Sequence, residues 1–165
     1  MNLYMTSGTY DFLERLAGKH AEEHMVLMSG EEGALLLHET EGKTVFASPR
    51  KYEVLESSGS LGRPGLVVMN NIPVTDEGRP VFEYRFKNRA GKIENTPGFQ
   101  AIRVLRPIKS NTYVILTAWD DELAFQRWKE SAEFGKSHGH SKPEAGPSIF
   151  SGQPYITKYS ISESE

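Results

Sequence analysis

Apolar positions recur along this chain in two rhythms, one of about 3.6 residues and one of 2, and their alternation predicts the elements. Near the N-terminus Tyr10, Leu13, Leu16 and Ala17 follow Ser7-Gly8-Thr9 at helical spacing. They predict a helix over 9–19, with Gly18 weakening its end. Residues 25–28, 34–39 and 44–47 are short runs of strand character. Ser29-Gly30-Glu31-Glu32-Gly33 and Glu41-Gly42-Lys43 separate them and suit hairpin connections. Pro49 opens 50–56, where Tyr52 and Leu55 are spaced to form one helix face. Residues 57–65 are rich in Ser, Gly and Pro and read as a connection.

The remainder is more regular. Residues 66–74 predict a strand with Pro73 near its end. Residues 77–90 predict a helix, with Pro80 in its first turn, Phe82 and Phe86 four apart, and Gly91 as a stop. Pro97-Gly98 marks a turn, 99–106 a strand, and 113–119 a third strand rich in β-branched and aromatic residues. Asp120 is the expected cap of a following helix, with Asp121 and Glu122 favouring the positive end of its dipole. Ala124, Phe125, Trp128 and Ala132 mark that helix's apolar face, and Gly135 is expected to interrupt it. Residues 155–160 predict the last strand. The order strand, helix, strand, strand, helix, strand is that of an α+β ferredoxin-like βαββαβ unit, an antiparallel sheet with both helices on one face. We therefore expect an N-terminal extension over 1–62 and a ferredoxin-like domain over 63–165. No internal sequence repeat is evident between them.

Composition narrows the class. The chain has 165 residues, 38% of them hydrophobic and 25% charged, which is ordinary for a globular protein. A net charge of −3 argues against a polybasic nucleic-acid binder. The absence of cysteine excludes disulfides, thiolate catalysis and thiolate metal sites, so any metal must take nitrogen or oxygen ligands. The longest apolar runs, 34–37 and 66–69, fall far short of the roughly 20 residues that span a bilayer. Met1-Asn2-Leu3-Tyr4-Met5-Thr6 has no signal-peptide pattern, so the cytoplasm is the expected location. Dinucleotide and phosphate loops, the nucleophile elbow and the H-E-x-x-H zinc motif are all missing.

Few residues remain as chemical candidates. His20, His24 and His38 lack spaced partners and read as surface or packing residues. His138-Gly139-His140 follows the helix that Gly135 should break, where an imidazole could reach a cleft. The competing reading is a solvated pair at a helix C-terminus. Trp128 shares an apolar face with Phe125 and reads as core, or as a ring lining a flat pocket. Asn70-Asn71 interrupts a strand, where amides are disfavoured. The two side chains must point to opposite faces, and a buried amide needs a partner.

Taken together, residues 66–162 resemble the antibiotic-biosynthesis-monooxygenase (ABM) superfamily, and within it the small bacterial heme-degrading monooxygenases of the IsdG type. The matching stretches are Asn70-Asn71-Ile72-Pro73-Val74, Tyr84-Arg85-Phe86, Thr96-Pro97-Gly98-Phe99, Thr117-Ala118-Trp119, Ala124-Phe125-Gln126-Arg127-Trp128, Phe134 through His138, and Tyr155-Ile156-Thr157. The combination of a strand Asn, a helix Trp and a His ten residues later is the specific part. The resemblance implies His138 as axial ligand of the heme iron, with His140 the alternative register. It implies Asn70 beside the iron-bound oxygen, with Asn71 the alternative, and Trp128 rather than Trp119 against the porphyrin face. Arg85, Lys87, Arg89 and Lys136 become candidate partners of the heme propionates. Heme would be cofactor and substrate at once, with O2 and electrons from a separate reductase. Because His138 lies ten residues past Trp128, the helix is expected to break near Gly135 and fold His138 back. Family members are usually dimers of a shorter chain. The extra N-terminal part, similar to that of longer Bacillus-type members, is expected to replace the second subunit and complete a pseudo-dimer of the dimeric α+β barrel type, leaving a monomer. The alternatives are a non-enzymatic heme-binding or stress-signalling member, similar to the staphylococcal target of RNAIII-activating protein, and a monooxygenase of aromatic compounds that uses no iron.

Overall fold

Strands here sort their side chains by parity, so each strand buries alternate residues in two different places. The computed structural model describes residues 1–87, 93–138 and 149–162, with the backbone alone for residue 87 and for 132–138. Its elements are β1 (Asn2–Gly8), α1 (Tyr10–Lys19), β2 (His24–Gly30), β3 (Gly33–Thr40), β4 (Arg50–Gly59), β5 (Gly65–Pro73), α2 (Arg79–Lys87), β6 (Phe99–Pro107), β7 (Thr112–Trp119), α3 (Glu122–His138) and β8 (Tyr155–Ile161). All strand pairs are antiparallel, and the eight close into a barrel in the order β1-β3-β2-β8-β5-β7-β6-β4. Closure leaves the sheet without an open side.

The barrel order contains the same arrangement twice. Read around the circle, β4-β1-β3-β2 and β8-β5-β7-β6 both run fourth, first, third, second within their own half. The fourth strand of each half meets the second strand of the other, β4 against β6 and β8 against β2. The register repeats as well. Tyr52 lies opposite Leu3, and Tyr159 opposite Val67. Two residues on, Met5 faces Leu37 in one half and Met69 faces Leu116 in the other. One further step puts Thr6 where the second half has Asn70. The second half therefore has the expected βαββαβ order. The first half keeps one helix, α1, and has the segment 41–49 where the second half has α3.

The barrel interior takes one parity of every strand. Leu3, Met5, Val26, Met28, Leu35, Leu37, Val67, Met69, Leu105 and Leu116 form one apolar cluster inside it. Each such side chain contributes about 1.5–3 kcal/mol by leaving water. A charged cluster lies at one end of this interior. Arg103 Nε donates to Glu39 Oε2 at 2.7 Å, and the same guanidinium donates to the carbonyls of Ser58, Ile102 and Gly59 at 2.8–3.0 Å. His24 Nε2 lies 3.2 Å from the other Glu39 oxygen. Strands β6 and β3 are not neighbours, so this pair crosses the barrel from one half to the other. Gly59 lets β4 approach the β6 backbone closely beside it. With φ at +75°, a Cβ there would sit 2.0 Å from the Gln100 carbonyl.

Several expectations need correction. Residues 50–56 form strand, not helix, because Tyr52 and Val54 alternate into the barrel and the edges of β1 and β6 are available to pair. Strand β4 runs on through Ser57, Ser58 and Gly59, which narrows the expected connection to 60–64. Residues 44–47 form no strand. Phe46 instead packs under the segment against Tyr4, Leu13 and Leu36. Asp121, not Asp120, caps α3: its Oδ1 accepts from the Ala124 amide at 2.9 Å, while Asp120 accepts from Gln100. Finally, α3 continues through Gly135 to His138 without the expected break. A single helical glycine costs only about 1 kcal/mol relative to alanine, too little to end a helix by itself.

Candidate functional site

The two asparagines of β5 part company. Val67, Met69 and Asn71 face the barrel interior, while Leu66, Val68, Asn70 and Ile72 face outward, toward the helices. Asn71 is buried, and its amide nitrogen lies 3.1–3.2 Å from the Met69 and Tyr155 carbonyls and the Thr157 hydroxyl. Its role is to join β5 to β8. Asn70 is half-buried on the opposite face, and no side-chain hydrogen bond ties it to another described residue. Its flanking residues in the sheet are Ile115 on β7 and Ile156 on β8, with Val104 on β6 next in the row. It is the one polar side chain of these four.

On either side of this row lies an aromatic patch. Helix α3 lays Ala124, Phe125 and Trp128 on Leu66, Val68, Phe99 and Trp119. The Trp128 ring centre lies 5.6 Å from Trp119 and 6.4 Å from Phe125. Trp119 is fully buried, and its Nε1 donates to Thr117 Oγ1 at 2.9 Å. Trp128 stays half-buried, so part of its surface is left over after packing. Lys158 of β8 ties the first turn of α3 to the sheet through Glu122 at 3.0 Å, with its ammonium 5.2 Å from the centre of the Phe125 ring. On the other side, α2 sets Phe82 and Phe86 over Ile72, Tyr113 and Ile115. Phe82 lies 5.2 Å from Phe86 and 4.6 Å from Tyr113, ring centre to ring centre.

A salt-bridged cluster fixes α2 in this position. Arg106 of β6 grips Glu83 with two nitrogens, at 3.0 and 2.5 Å, and reaches Glu53 of β4 with a third contact at 2.6 Å. The buried Tyr113 hydroxyl donates to the same Glu83 carboxylate. Chiefly through the Arg106 hydrogen bonds, the Glu83 carboxyl is held below the usual carboxylate range. Burial, and then the hydrogen bond to Glu83, push Tyr113 up to about 12, so it remains a donor. No sequence signal marks this cluster, because its members lie on three strands and a helix with no shared spacing.

The histidines divide as expected, as far as they are described. His38 is fully buried between Tyr4 and Phe46, with Nδ1 2.9 Å from Thr44 Oγ1 and Nε2 3.2 Å from Glu23. His24 sits on Glu39, and His20 lies 3.9 Å from Glu22. The backbone of His138 ends α3, roughly 15 Å along the axis from Trp128 at 1.5 Å per residue. Its side chain, those of Lys87 and Lys136, and the whole of His140 and Arg89 lie outside the described residues. Arg85 is half-buried on α2 and engaged with other groups. Among the described residues no three His, Asp or Glu side chains come together to hold a metal, and no helix is long and apolar enough to cross a membrane. An open groove of about 940 Å³ lies elsewhere, lined by residues 7–9, 31–34 and 155–159. It includes neither Asn70 nor Trp128.

Comparison with known proteins adds a family to this geometry. Residues 65–139 match the family model described as antibiotic biosynthesis monooxygenase. A heme-degrading monooxygenase of Listeria monocytogenes is 30% identical over 129 residues, 78% of this chain and 77% of that protein. The signal transduction protein TRAP of Staphylococcus epidermidis is 27% identical over 137 residues, 83% of this chain and 82% of that one. A solved structure of a major regulator of staphylococcal pathogenesis superposes with a TM-score of 0.85 at 25% identity, over 99% of this chain and 100% of the other. That of a heme-degrading enzyme from Listeria monocytogenes superposes at 0.74, also at 25% identity, over 98% and 100%.

Proposed function

Because this chain belongs to the antibiotic biosynthesis monooxygenase family, we propose that it is a cytoplasmic heme-degrading monooxygenase, which opens the porphyrin ring with O2 and electrons from a separate reductase and releases iron. The observation that carries this reading is the outer face of the second half-sheet. The Asn70 amide, which has no side-chain hydrogen bond among the described residues, lies beside Ile115, Val104 and Ile156 between two aromatic patches. A flat apolar disc with an anionic edge suits such a floor, since rings and aliphatic side chains can pack on both of its faces.

Each residue has a distinct task. His138 is the residue that would hold the heme iron, an imidazole being a suitable donor to it. Asn70 holds a donor and an acceptor at the centre of the row. It carries no titratable proton, so it can orient a polar diatomic without changing charge. Trp128 presses its leftover surface on the ring. Arg85, Lys87, Arg89 and Lys136 are the cations available for the propionates. Heme, when bound, would be the substrate and would also supply the iron chemistry, so the protein's part is to bind, orient and exclude water.

Asn70→Ala is expected to bind hemin with nearly wild-type affinity and to turn it over at least about tenfold more slowly, as loss of one orienting hydrogen bond implies. Equal turnover would remove Asn70 from the site. Trp128→Ala should stay folded, bind hemin and degrade it slowly. Wholesale unfolding would make Trp128 a core residue and nothing more. A single assay tests the reading itself: hemin is titrated to a Soret band, then reductant and O2 are added with catalase present. Loss of the band is expected. A stable band would favour the second reading, a non-enzymatic heme-binding or signalling protein, which the similarity to TRAP supports.

We further propose that residues 1–62 replace the second subunit of the usual dimer and that 63–165 form the catalytic domain. Two features support this. The strand order and register repeat between the halves, and the outer face of the first half is filled by Tyr4, Leu36, His38 and Phe46, leaving one site per chain. Light scattering at micromolar concentration should give the monomer mass of 18.5 kDa. A mass near twice that value would overturn the monomer.

A further inference from the structure

Helix α2 is short, and only one of its faces meets the sheet, through Phe82 and Phe86. Apolar contacts hold a helix against a sheet but resist rotation about its axis weakly, because they are not directional. Directional contacts are needed to choose the rotation. Arg79 supplies some at the start of α2, donating to the Pro107 and Ser110 carbonyls and to Asn111 Oδ1. Glu83 supplies those of the following turn, where both partners come from the sheet: the Arg106 guanidinium from β6 and the Tyr113 hydroxyl from β7. Arg106 is held in turn by Glu53, which belongs to β4 in the first half of the chain. The next turn of α2 carries Arg85 and packs Phe86 on the cluster that also holds Ile115 of the Asn70 row.

From this chain of contacts we propose that Glu83 is a positioning residue for the heme site: with Arg106 and Tyr113 it sets the rotation of α2 over the Asn70 row, and Glu53 brings the N-terminal half of the chain into that task. The inference rests on the heme reading for its ligand, though not for its mechanics. A bidentate guanidinium–carboxylate pair fixes angle as well as distance, which a single point charge would not. The Arg106–Glu53 contact also joins the halves by a route separate from the Arg103–Glu39 contact. It gives the first half a role in the site.

The charged and titratable groups that face Glu83 are Arg106, Tyr113 and Arg79, with Glu53 behind Arg106. Arg79 lies 5.3 Å from the centre of the Tyr113 ring and donates to the Pro107 carbonyl at 2.7 Å. Arg106, pushed up by Glu83 and Glu53, keeps its charge, and Tyr113 keeps its proton, throughout the neutral and acid range. Glu83 is therefore the member whose protonation would release the clamp. Its folded value lies below the unfolded one, so the clamp is complete above the ordinary carboxylate range and is lost only as the pH falls through the depressed value.

The test uses the full chain with Glu83→Gln, Tyr113→Phe and Glu53→Gln, and two readouts. The first, amide hydrogen exchange without heme, is expected to quicken by about tenfold or more in α2 of Glu83→Gln, as the loss of a charge-assisted hydrogen bond implies, while β6 and β7 keep their rates. Tyr113→Phe and Glu53→Gln should give smaller changes confined to the same helix. The second readout is hemin titration. Glu83→Gln should bind about tenfold more weakly at pH 7 with an unchanged Soret position, because the iron ligand is untouched. Unchanged exchange in α2 would overturn the proposal. So would equal acceleration in α2 and the barrel strands, which would make Glu83 a general stabiliser. If the wild-type chain binds no hemin, the heme reading fails, and the exchange result alone decides whether Glu83 orients the helix.

Discussion

His138→Ala is expected to lose the ferric heme spectrum, or to weaken hemin binding by more than about 100-fold, while circular dichroism and thermal stability stay close to wild type. The magnitude follows from removing the one bond to iron, since disturbing even the groups around a metal ligand costs about 10–100-fold. The fold should survive for a simple reason. His138 ends α3, far from the barrel interior, and alanine is the best helix former. His140→Ala should retain the spectrum. If the two results are exchanged, the ligand is His140 and the alignment of Phe134 through His138 is shifted. Hemin absorption near the Soret band, with circular dichroism on the same samples, distinguishes the cases.

The second large effect concerns the barrel. Arg103→Ala and Glu39→Ala should each lower stability by about 3–5 kcal/mol, because each leaves a buried charge without its partner. Both residues are less than 10% exposed. For a chain of this length that corresponds to a fall in Tm of roughly 10 °C. Arg103→Ala should be the worse of the two, since it also strands the carbonyls of Ser58 and Gly59. The double variant Arg103→Leu with Glu39→Leu should recover part of the loss, as apolar replacement removes both desolvated charges together. Calorimetry on the three variants checks this. Single variants within about 1 kcal/mol of wild type would deny the pair any role in joining the halves.

Local signals explain what could be read early. Helix α1 follows from Leu13, Leu16 and Ala17 with Thr9 as its cap, whose Oγ1 accepts from the Phe12 amide at 3.2 Å. Strands β5, β6, β7 and β8 follow from runs of β-branched and aromatic residues bounded by turn residues, and their order with α2 and α3 yields the ferredoxin-like unit. Strand β1 was not legible: residues 2–8 carry Thr6, Ser7 and Gly8 and have little strand character of their own. Residues 50–56 misled for a related reason. Their spacing tolerates a helix, and they become strand because β1 and β6 offer two edges to pair with. Pairing energy of that kind comes from partners remote in sequence, which periodicity does not record.

The candidate site divides in the same way. The sequence alone determined which residue types were available: an Asn pair in a strand, a Trp on an apolar helix face, a histidine ten residues beyond it, and no cysteine or charge excess to suggest other chemistry. It also determined that Asn70 and Asn71 face opposite sides, since successive strand residues must. Only the tertiary structure decided which of them looks toward the helices, because that depends on which parity of β5 fills the barrel, and Val67 and Met69 fill it. The tertiary structure likewise decided that the first half repeats the second, down to Met5 with Leu37 against Met69 with Leu116. Such a repeat rests on shared hydrogen-bond register and on the volume enclosed by eight strands, and many different side chains satisfy both, so the two halves need share no recognisable sequence.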